Sequence, residues 1–294
     1  MNQAQLQAYV DQQIGKHVKN IVVHVQSADE SLNLIASAGV AHPSDQSPML
    51  PDTPYFIASI SKTYTAAIIM KLHEAGTLNL DASMSDYLPE SVWQGIHVYK
   101  GRDHSPHLKV YHLMNQTSGL PDYFEDKPKG GRSLYDELKA GMTDRAYSTE
   151  ELMAIVRGLS PKFAPGANEG RKAHYADTNY HLLGAIIEAV TGKPYADSLQ
   201  EMICQPLGLT ETYAFDALRA ESHRRPAMIY FKDRPLDLPL FIASHAAEGG
   251  IVSTTAESLT FLRAFFDGKL FDKTHFERMM GHWNAIFFPI QYAY

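Results

Sequence analysis

Cysteine is nearly absent from this sequence. Its 294 residues include one cysteine, Cys204, so no disulfide framework can form within the chain, and such usage is typical of a reducing compartment. A lone cysteine is most often a small buried residue, and we expect Cys204 to lie in the core. Long apolar runs are absent as well. No stretch approaches the roughly eighteen consecutive apolar residues of a membrane span, so we expect no transmembrane helix and no membrane partner.

Basic residues are also in the minority. The chain has 26 Lys and Arg against 33 Asp and Glu, for a formal net charge of -7. An acidic chain without a Lys/Arg run is a poor match for a phosphate backbone, so we expect no nucleic-acid partner. The N-terminal residues, MNQAQL, lack the basic and apolar regions of a signal peptide, and we therefore expect a cytoplasmic location.

Cofactor and metal signatures are missing too. The sequence contains no P-loop, no GxGxxG, no HExxH and no GxSxG. Among its 14 histidines, the close pairs are His104 with His107 and His107 with His112. No cysteine or convergent carboxylate accompanies them at ligand spacing, so we interpret them as residues of a solvated, charged loop. We expect no cofactor and no metal.

The apolar pattern predicts an α/β protein with two lobes. An α/β lobe is expected from residues 1–78 and 238–294, and a mainly helical lobe from residues 79–237. The cleft between such lobes is a common ligand site. The predicted elements are a helix within residues 1–17 that carries Leu6, Val10 and Ile14, strands at 19–26 and 31–38, helices at 59–75, 149–159, 179–190 and 195–203, a helix capped by Thr255 and ending at 266, and a strand at 286–294; Thr149 is the predicted N-cap of its helix.

Ser59 and Lys62 form the first candidate catalytic pair. Residues three apart share one face of a helix, and a serine at the start of the helix lies beside free N–H groups. Those donors and the helix dipole would stabilise negative charge near the serine and lower the pKa of the lysine. The pair then has the chemistry of a nucleophile and its proton acceptor. A chain of this composition contains about one such spacing by chance, so the pair alone is weak evidence.

The surrounding residues resemble the serine β-lactamase and penicillin-binding-protein-like superfamily, most closely its class C β-lactamase and family VIII carboxylesterase branch. The resemblance extends over roughly residues 50–268. Its blocks follow the family order: residues 56–63 (FIASISKT), 113–123 (LMNQTSGLPDY), 163–166 (FAPG) with 174–184 (HYADTNYHLLG), 191–195 (TGKPY), 206–209 (PLGL) and 248–254 (EGGIVST).

The resemblance implies a fold and a mechanism. The fold would be α/β of the α+β type, with an antiparallel sheet flanked by helices plus a helical lobe. Ser59 would be the acylated nucleophile, with Lys62 and Tyr175 as proton-transfer partners. The glycines of residues 117–119 and 249–250 would supply unusual backbone angles in scaffold turns.

Asp177 departs from the family pattern, which has asparagine there. The resemblance makes Asp177 a substrate-binding position. An ionised aspartate only accepts hydrogen bonds, and its charge favours the ammonium form of Lys62. We therefore expect Tyr175 to take more of the proton transfer and β-lactam turnover to be inefficient. Asn179 is two positions too far along to replace the missing amide.

The third family motif, Lys-Thr-Gly or His-x-Gly, is not found. Residues 273–275 (KTH) and 281–283 (GHW) lack the required glycine and lie too early. We therefore expect a chain truncated at its C-terminal end relative to the family, with an incomplete sheet whose exposed edge favours self-association. The missing strand would supply the second oxyanion donor, whose loss costs about 10²–10³ in rate, so we expect poor ester hydrolysis by these residues alone.

The leading interpretation is a serine hydrolase that acts on a small-molecule ester or amide, with esterase-type activity favoured. A β-lactamase or D-Ala-D-Ala peptidase is the alternative within the family, although both work outside the cytoplasm. A catalytically weak or inactive binding or assembly module is the alternative from another class, and it is supported by Asp177 and the missing motif. A generic α/β domain would require all the ordered matches to be accidental.

Overall fold

The computed structural model describes residues 1–15, 17–218, 222–280, 283–287 and 290–293. The helices are α1 (Gln3–Asp11), α2 (Ser61–Glu74), α3 (Glu90–Trp93), α4 (Val110–Met114), α5 (Leu134–Ala140), α6 (Thr149–Arg157), α7 (Asp177–Thr191), α8 (Tyr195–Leu199), α9 (Gln205–Leu207), α10 (Pro239–Ala243), α11 (Thr255–Phe266) and α12 (His275–Met280). The strands are β1 (Asn20–Gln26), β2 (Asn33–His42), β3 (Ser47–Pro48), β4 (Tyr55–Phe56), β5 (Val98–Tyr99), β6 (Arg102–Asp103), β7 (Tyr213–Ala214), β8 (Tyr230–Phe231), β9 (Arg234–Pro235), β10 (Ile251–Ser253), β11 (Trp283–Phe287) and β12 (Ile290–Ala293).

The predicted N-terminal helix and hairpin are present. β1 pairs antiparallel with β2, and β3 adds a short third strand on the far side of β2. Helix α1 buries Leu6 and Val10 together with Ala36 of β2, because the i, i+4 spacing places both apolar side chains on one face. Ile14 lies beyond the end of α1 and is 37% exposed, so the predicted helix was too long.

A second small sheet positions the turn that contains the candidate nucleophile. Its central strand, β10, pairs antiparallel with β4 on one side and β7 on the other, with Val252 opposite both Phe56 and Tyr213. The N–H of Ile57 continues this pairing by donating to the carbonyl oxygen of Ile251 over 3.0 Å. The sheet therefore brings residues 248–250 next to the turn that contains Ser59.

Helices α2 and α7 form the centre of the core. Both helices bury more side chains than the single apolar face of a surface helix would. Ten residues of α2 are buried, among them Tyr64, Ile68 and Met70. Tyr64 stacks on Phe261 of α11 with ring centroids 3.6 Å apart. This packing fixes the axis of α2, and with it the position of Lys62 in its first turn.

The segment after α8 differs from the predicted continuous helix. Residues Gln200–Cys204 adopt a π-helix, and the chain returns to α-helix at Gln205–Leu207. Cys204 is fully buried, as expected, and its thiol donates to the carbonyl oxygen of Thr212 over 3.3 Å. A π-turn contains one more residue per hydrogen-bonded turn than an α-helix, so it changes the directions of the buried side chains. The spacing of apolar residues does not indicate such a change.

Two predicted helix caps were one residue late. Ser148 caps α6 through its side chain and forms a capping box with Glu151, whereas Thr149 is the first helical residue. Thr254 caps α11 by accepting from the N–H of Glu257, whereas Thr255 is inside the helix. In both cases a Ser or Thr stands directly before the predicted Thr, and the glutamate three residues further on identifies the true cap.

His112 does not lie in a solvated loop, contrary to the sequence interpretation. It is buried in α4, and its Nδ1 accepts from the backbone N–H of Lys109 over 3.1 Å. Burial lowers the pKa of His112 to about 4, so it packs as a neutral core residue. Across the part of the chain that the structure describes, no three His, Cys, Asp or Glu side chains are grouped as a metal site would require.

The predicted C-terminal strand is two strands in the structure. β11 and β12 pair antiparallel with each other; residues 288, 289 and 294 of the predicted strand lie outside the described residues. Among the described residues, β1 pairs with β2 only, and the exposed edge expected from a truncated sheet stays a prediction. No described helix combines the length and apolar character needed to cross a bilayer.

Candidate active site

Ser59 lies in a single 3-10 turn, Ala58–Ile60, directly before α2. Its side chain is exposed, while Lys62 and Ser61 behind it are buried. Ala58 has φ 48°, a left-handed conformation that costs a residue with a Cβ about 1–3 kcal/mol. The adjoining strand pairing holds this strained turn in place and presents the hydroxyl of Ser59 at the surface of a cavity.

The ammonium group of Lys62 is held by three oxygen atoms. Its Nζ donates to Ser59 Oγ over 3.2 Å and to the backbone oxygen of Glu248 over 2.7 Å, and it forms an ion pair with Asp177 Oδ1 at 2.6 Å. Burial by itself lowers the pKa of Lys62, but the neighbouring Asp177 carboxylate and Tyr175 outweigh burial and raise that pKa above its ordinary value. The dipole argument for a neutral amine was therefore wrong for Lys62, and the argument from the Asp177 charge holds.

Tyr175 is a further neighbour of the Lys62 amine. The lysine Nζ lies 5.0 Å from the centroid of the Tyr175 ring, and a hydrogen bond between the two side chains also favours the protonated amine. Tyr175 is half-buried and precedes the first residue of α7 by two positions. The structure thus brings the three sequence-predicted side chains, Ser59, Lys62 and Tyr175, into one cluster.

Asp177 is the first residue of α7, where the helix dipole favours a negative charge. Its side chain is 22% exposed and lines the same cavity as Ser59. Asn179 is fully buried instead, where it donates to Gln116 and accepts from the hydroxyl of Ser118 over 2.6 Å. Asn179 therefore connects α7 to residues 113–123. It does not face the cavity, which agrees with the prediction that it cannot replace the missing amide.

A second buried ion pair lies behind the first, and sequence reasoning missed it. Glu248 Oε1 accepts from the hydroxyl of Tyr123 over 2.6 Å and lies 3.0 Å from His181 Nδ1. Burial raises the pKa of Glu248, but the charge and hydrogen bond of His181, together with His245 and the Tyr123 hydroxyl, outweigh burial and lower that pKa overall. Pairing with Glu248 in turn raises the pKa of His181 against burial. Both residues stood inside matched family blocks, yet nothing in their spacing indicated that they meet.

The predicted glycine turns differ from each other in their geometry. Gly119 has φ +74°, and a Cβ there would lie 2.2 Å from the carbonyl oxygen of Phe163, so only glycine fits. Gly249 and Gly250 do not have positive φ angles, contrary to expectation. Gly250 is needed for close approach instead, since a Cβ would lie 2.7 Å from the carbonyl oxygen of Ile242.

The residues rejected as a third motif lie away from this cluster. Lys273 and Thr274 are exposed before α12, where the Thr274 hydroxyl donates to Asp272 over 2.8 Å. Neither lines the cavity at Ser59. Residues 281 and 282 of the other rejected segment lie outside the described residues.

Comparison with known proteins assigns the chain to a family. The family model described as Beta-lactamase matches residues 6–285, and the chain therefore belongs to the β-lactamase family. The predicted family resemblance is thereby confirmed.

Individual relatives carry several different names. Penicillin-binding protein 4* of Bacillus subtilis (strain 168) is 32% identical over 180 residues, which are 61% of this chain and 35% of that protein. Esterase EstB of Burkholderia gladioli is 30% identical over 169 residues, which are 56% of this chain and 39% of that protein. The aligned part of the chain thus spans between a third and two fifths of these two relatives.

A solved structure confirms the predicted fold class. The D-amino acid amidase of Ochrobactrum anthropi SV3, in complex with L-phenylalanine amide, superposes with a TM-score of 0.75 and 23% identity, covering 99% of this chain and 78% of the amidase. At that identity the similarity establishes the fold alone.

Proposed function

We propose that the protein is a serine hydrolase that cleaves small-molecule esters or amides through an acyl-enzyme on Ser59. The observation that carries this proposal is the 3.2 Å contact between Ser59 Oγ and the buried ammonium of Lys62, with the Tyr175 ring beside the same amine. A nucleophile beside a proton acceptor and an orienting charge is the arrangement that covalent catalysis requires.

The ion pair with Asp177 decides the direction of proton transfer. Lys62 is held as an ammonium, so it donates hydrogen bonds to Ser59 and Tyr175 rather than accepting a proton. Tyr175 then takes the proton of Ser59, and the nearby ammonium stabilises the phenolate before that transfer. Ser59 Oγ bonds to the carbonyl carbon, the bond to the leaving group breaks, and Tyr175 returns the proton to that group. Water repeats the sequence to release the acid.

Esterase-type activity is the favoured form of this function. An activated ester has a weakly basic leaving group and needs less proton donation than an amide does. This suits a site in which the charge of the Lys62 ammonium is already paired with Asp177. Esterase EstB, one of the similar proteins, carries that activity in its name. β-Lactamase and D-Ala-D-Ala peptidase activities remain the alternatives within the family.

A catalytically weak binding module is the second candidate function. The 2.6 Å ion pair between Lys62 and Asp177 favours it, because the carboxylate competes with Ser59 and Tyr175 for the charge of the amine. Ligand binding without turnover, together with no covalent modification of Ser59, would establish this alternative.

Covalent labelling tests the leading proposal. The chain is incubated with a small fluorophosphonate, and the modified residue is located by mass spectrometry. We expect one adduct on Ser59, no adduct in Ser59→Ala, and labelling slowed about 10²–10⁴-fold in Lys62→Met, which lacks the ammonium. Ser91→Ala, at an exposed serine of α3, is the matched control and should label as the wild type does. Absence of label on Ser59, or normal labelling of Lys62→Met, would contradict the proposal.

A further inference from the structure

A cavity of about 350 Å³ opens beside the candidate nucleophile. Ser59, Gly249 and Gly250 form one side of it, and its volume is at the small end of the range for ligand sites. The remaining wall is almost wholly apolar, and its main contributors are Phe124, Leu138, Ile229, Leu236, Leu238 and Phe241.

The apolar wall is a fixed part of the fold. The N–H of Leu236 donates to the carbonyl oxygen of Ile229 over 2.8 Å, which closes the β8–β9 hairpin, and Arg234 of that hairpin donates to the carbonyl oxygen of Leu138. Helix α10 is anchored separately, since the N–H of Phe241 donates to Asp144 Oδ1 over 2.9 Å. The wall is therefore preformed, which reduces the ordering cost of filling it.

None of the described residues that line the cavity places a cation inside it. Its ionisable lining residues in the described part of the chain are Tyr123, Asp177, His245 and Glu248, with no lysine or arginine. Asp177 is paired with Lys62 and Glu248 with His181, so each carboxylate already has its counter-charge. Burial lowers the pKa of His245, which makes that imidazole neutral at pH 7. A carboxylate inside this cavity would be desolvated without a partner.

The placement of the proton carriers distinguishes the two halves of a substrate. The side chains of Lys62 and Tyr175 are not among the described residues that line the cavity. A leaving group that receives its proton from Tyr175 lies on the Tyr175 side, outside the cavity. The acyl group is then the half that faces the apolar wall.

We propose that this cavity is the acyl-group site and that it selects uncharged alkyl or aryl acyl groups over acyl groups that carry a carboxylate. The inference rests on the proposed function, since it requires attack by Ser59. It implies that esters and amides with a neutral apolar acyl group react faster than matched substrates whose acyl group carries a carboxylate, because that carboxylate finds no cation in the described wall.

The test measures how the rate of Ser59 modification depends on the apolar group. Fluorophosphonates whose alkyl group on phosphorus runs from methyl to octyl are compared by intact-mass kinetics, together with a matched reagent whose alkyl chain ends in a carboxylate. We expect the second-order rate constant to rise about two- to fourfold per methylene, the effect of burying one CH₂ group, until the cavity is full. The carboxylate reagent should label far more slowly than the alkyl reagent of matched length.

Matched variants locate the effect in the cavity. Leu236→Trp fills the cavity and should abolish the rise in rate with chain length. Leu240→Trp, at a 38% exposed position of α10 that does not line the cavity, should leave the whole series unchanged. If Leu236→Trp fails to fold, Ile229→Ala provides the opposite change, and its maximum should move to longer chains.

The outcomes separate this inference from the proposed function. If the methyl reagent labels Ser59 but the rate is independent of chain length, or the carboxylate reagent is preferred, the acyl-site proposal is wrong while the hydrolase proposal stands. If no reagent labels Ser59, the proposed function itself fails.

Discussion

Two buried ion pairs meet at residue 248, and they differ in what surrounds them. Asp177 lines the cavity and is 22% exposed, and its partner Lys62 lies behind it with a side chain only 3% exposed. His181 and Glu248 have side chains only 10% and 3% exposed, and Tyr123 adds a hydrogen bond to the same carboxylate. The pairs are connected, because the backbone oxygen of Glu248 accepts from Lys62 while its side chain binds His181.

Because their surroundings differ, the two ion pairs have different roles. A pair at the cavity can change its protonation and its solvation during a reaction, because water and substrate reach one partner. A pair sealed behind it cannot, and a buried charge without its partner is costly. We interpret the His181–Glu248 pair as the support that holds the carbonyl of residue 248 against Lys62.

Breaking the sealed pair should have the largest effect. Glu248→Gln leaves the His181 imidazolium buried without a counter-charge, which costs about 3–5 kcal/mol of the free energy of unfolding. Urea denaturation monitored by circular dichroism measures this loss. The stability that His181 contributes is full below its ordinary pKa of 6.5 and is lost as the pH rises through its raised folded value. Glu248→Gln should remove that pH dependence.

A double variant controls for the removed carboxylate. His181→Asn together with Glu248→Gln takes away both charges and should recover part of the lost stability. If Glu248→Gln alone is as stable as the wild type, the pair is not ionised in the folded protein and the comparison above is wrong.

Removing the hydrogen bond on the sealed pair should have an intermediate effect. Tyr123→Phe keeps the buried ring but loses the 2.6 Å bond to Glu248, and a hydrogen bond to a charged group contributes about 1.5–3 kcal/mol. Thermal and urea unfolding measure the change. Tyr135→Phe, on α5 and without a hydrogen bond to Glu248, serves as the reference and should cost much less. Equal losses in the two variants would show that the Glu248 contact contributes nothing specific.

Changing the Lys62–Asp177 pair should alter the free energy of unfolding least and the labelling rate of Ser59 most clearly. Asp177→Asn removes the carboxylate that raises the pKa of Lys62, so this pKa falls and the amine is freed for Ser59 and Tyr175. We expect fluorophosphonate labelling of Ser59 at pH 7 to become about tenfold faster, or about 1.4 kcal/mol in activation free energy, and the acidic limb of its pH profile to move to lower pH.

An exposed aspartate supplies the control for that experiment. Asp197→Asn, on the solvent side of α8, changes the net charge equally and should leave the labelling profile unchanged. A labelling rate that is slower in Asp177→Asn than in the wild type would mean that the carboxylate assists the reaction.

Sequence reasoning reached the cavity pair but not the sealed one. Ser59 and Lys62 lie three residues apart in one helical turn, and the family blocks carried Tyr175 and Asp177, so local spacing and resemblance sufficed. Lys62 and the oxygen of Glu248 are separated by 186 positions, and no periodicity relates residues that far apart. The division into lobes at residues 79 and 238 stays a prediction, as do the roles of Ser59, Lys62, Tyr175 and Asp177.

The amino-acid sequence alone determined the family, the fold class and the N-terminal hairpin, because each depends on local spacing or on an ordered set of motifs. The tertiary structure decided the charge on Lys62, the partner of Glu248 and the apolar lining of the cavity. Those properties depend on which side chains meet after distant segments pack, since burial and neighbouring charges act through space rather than along the chain.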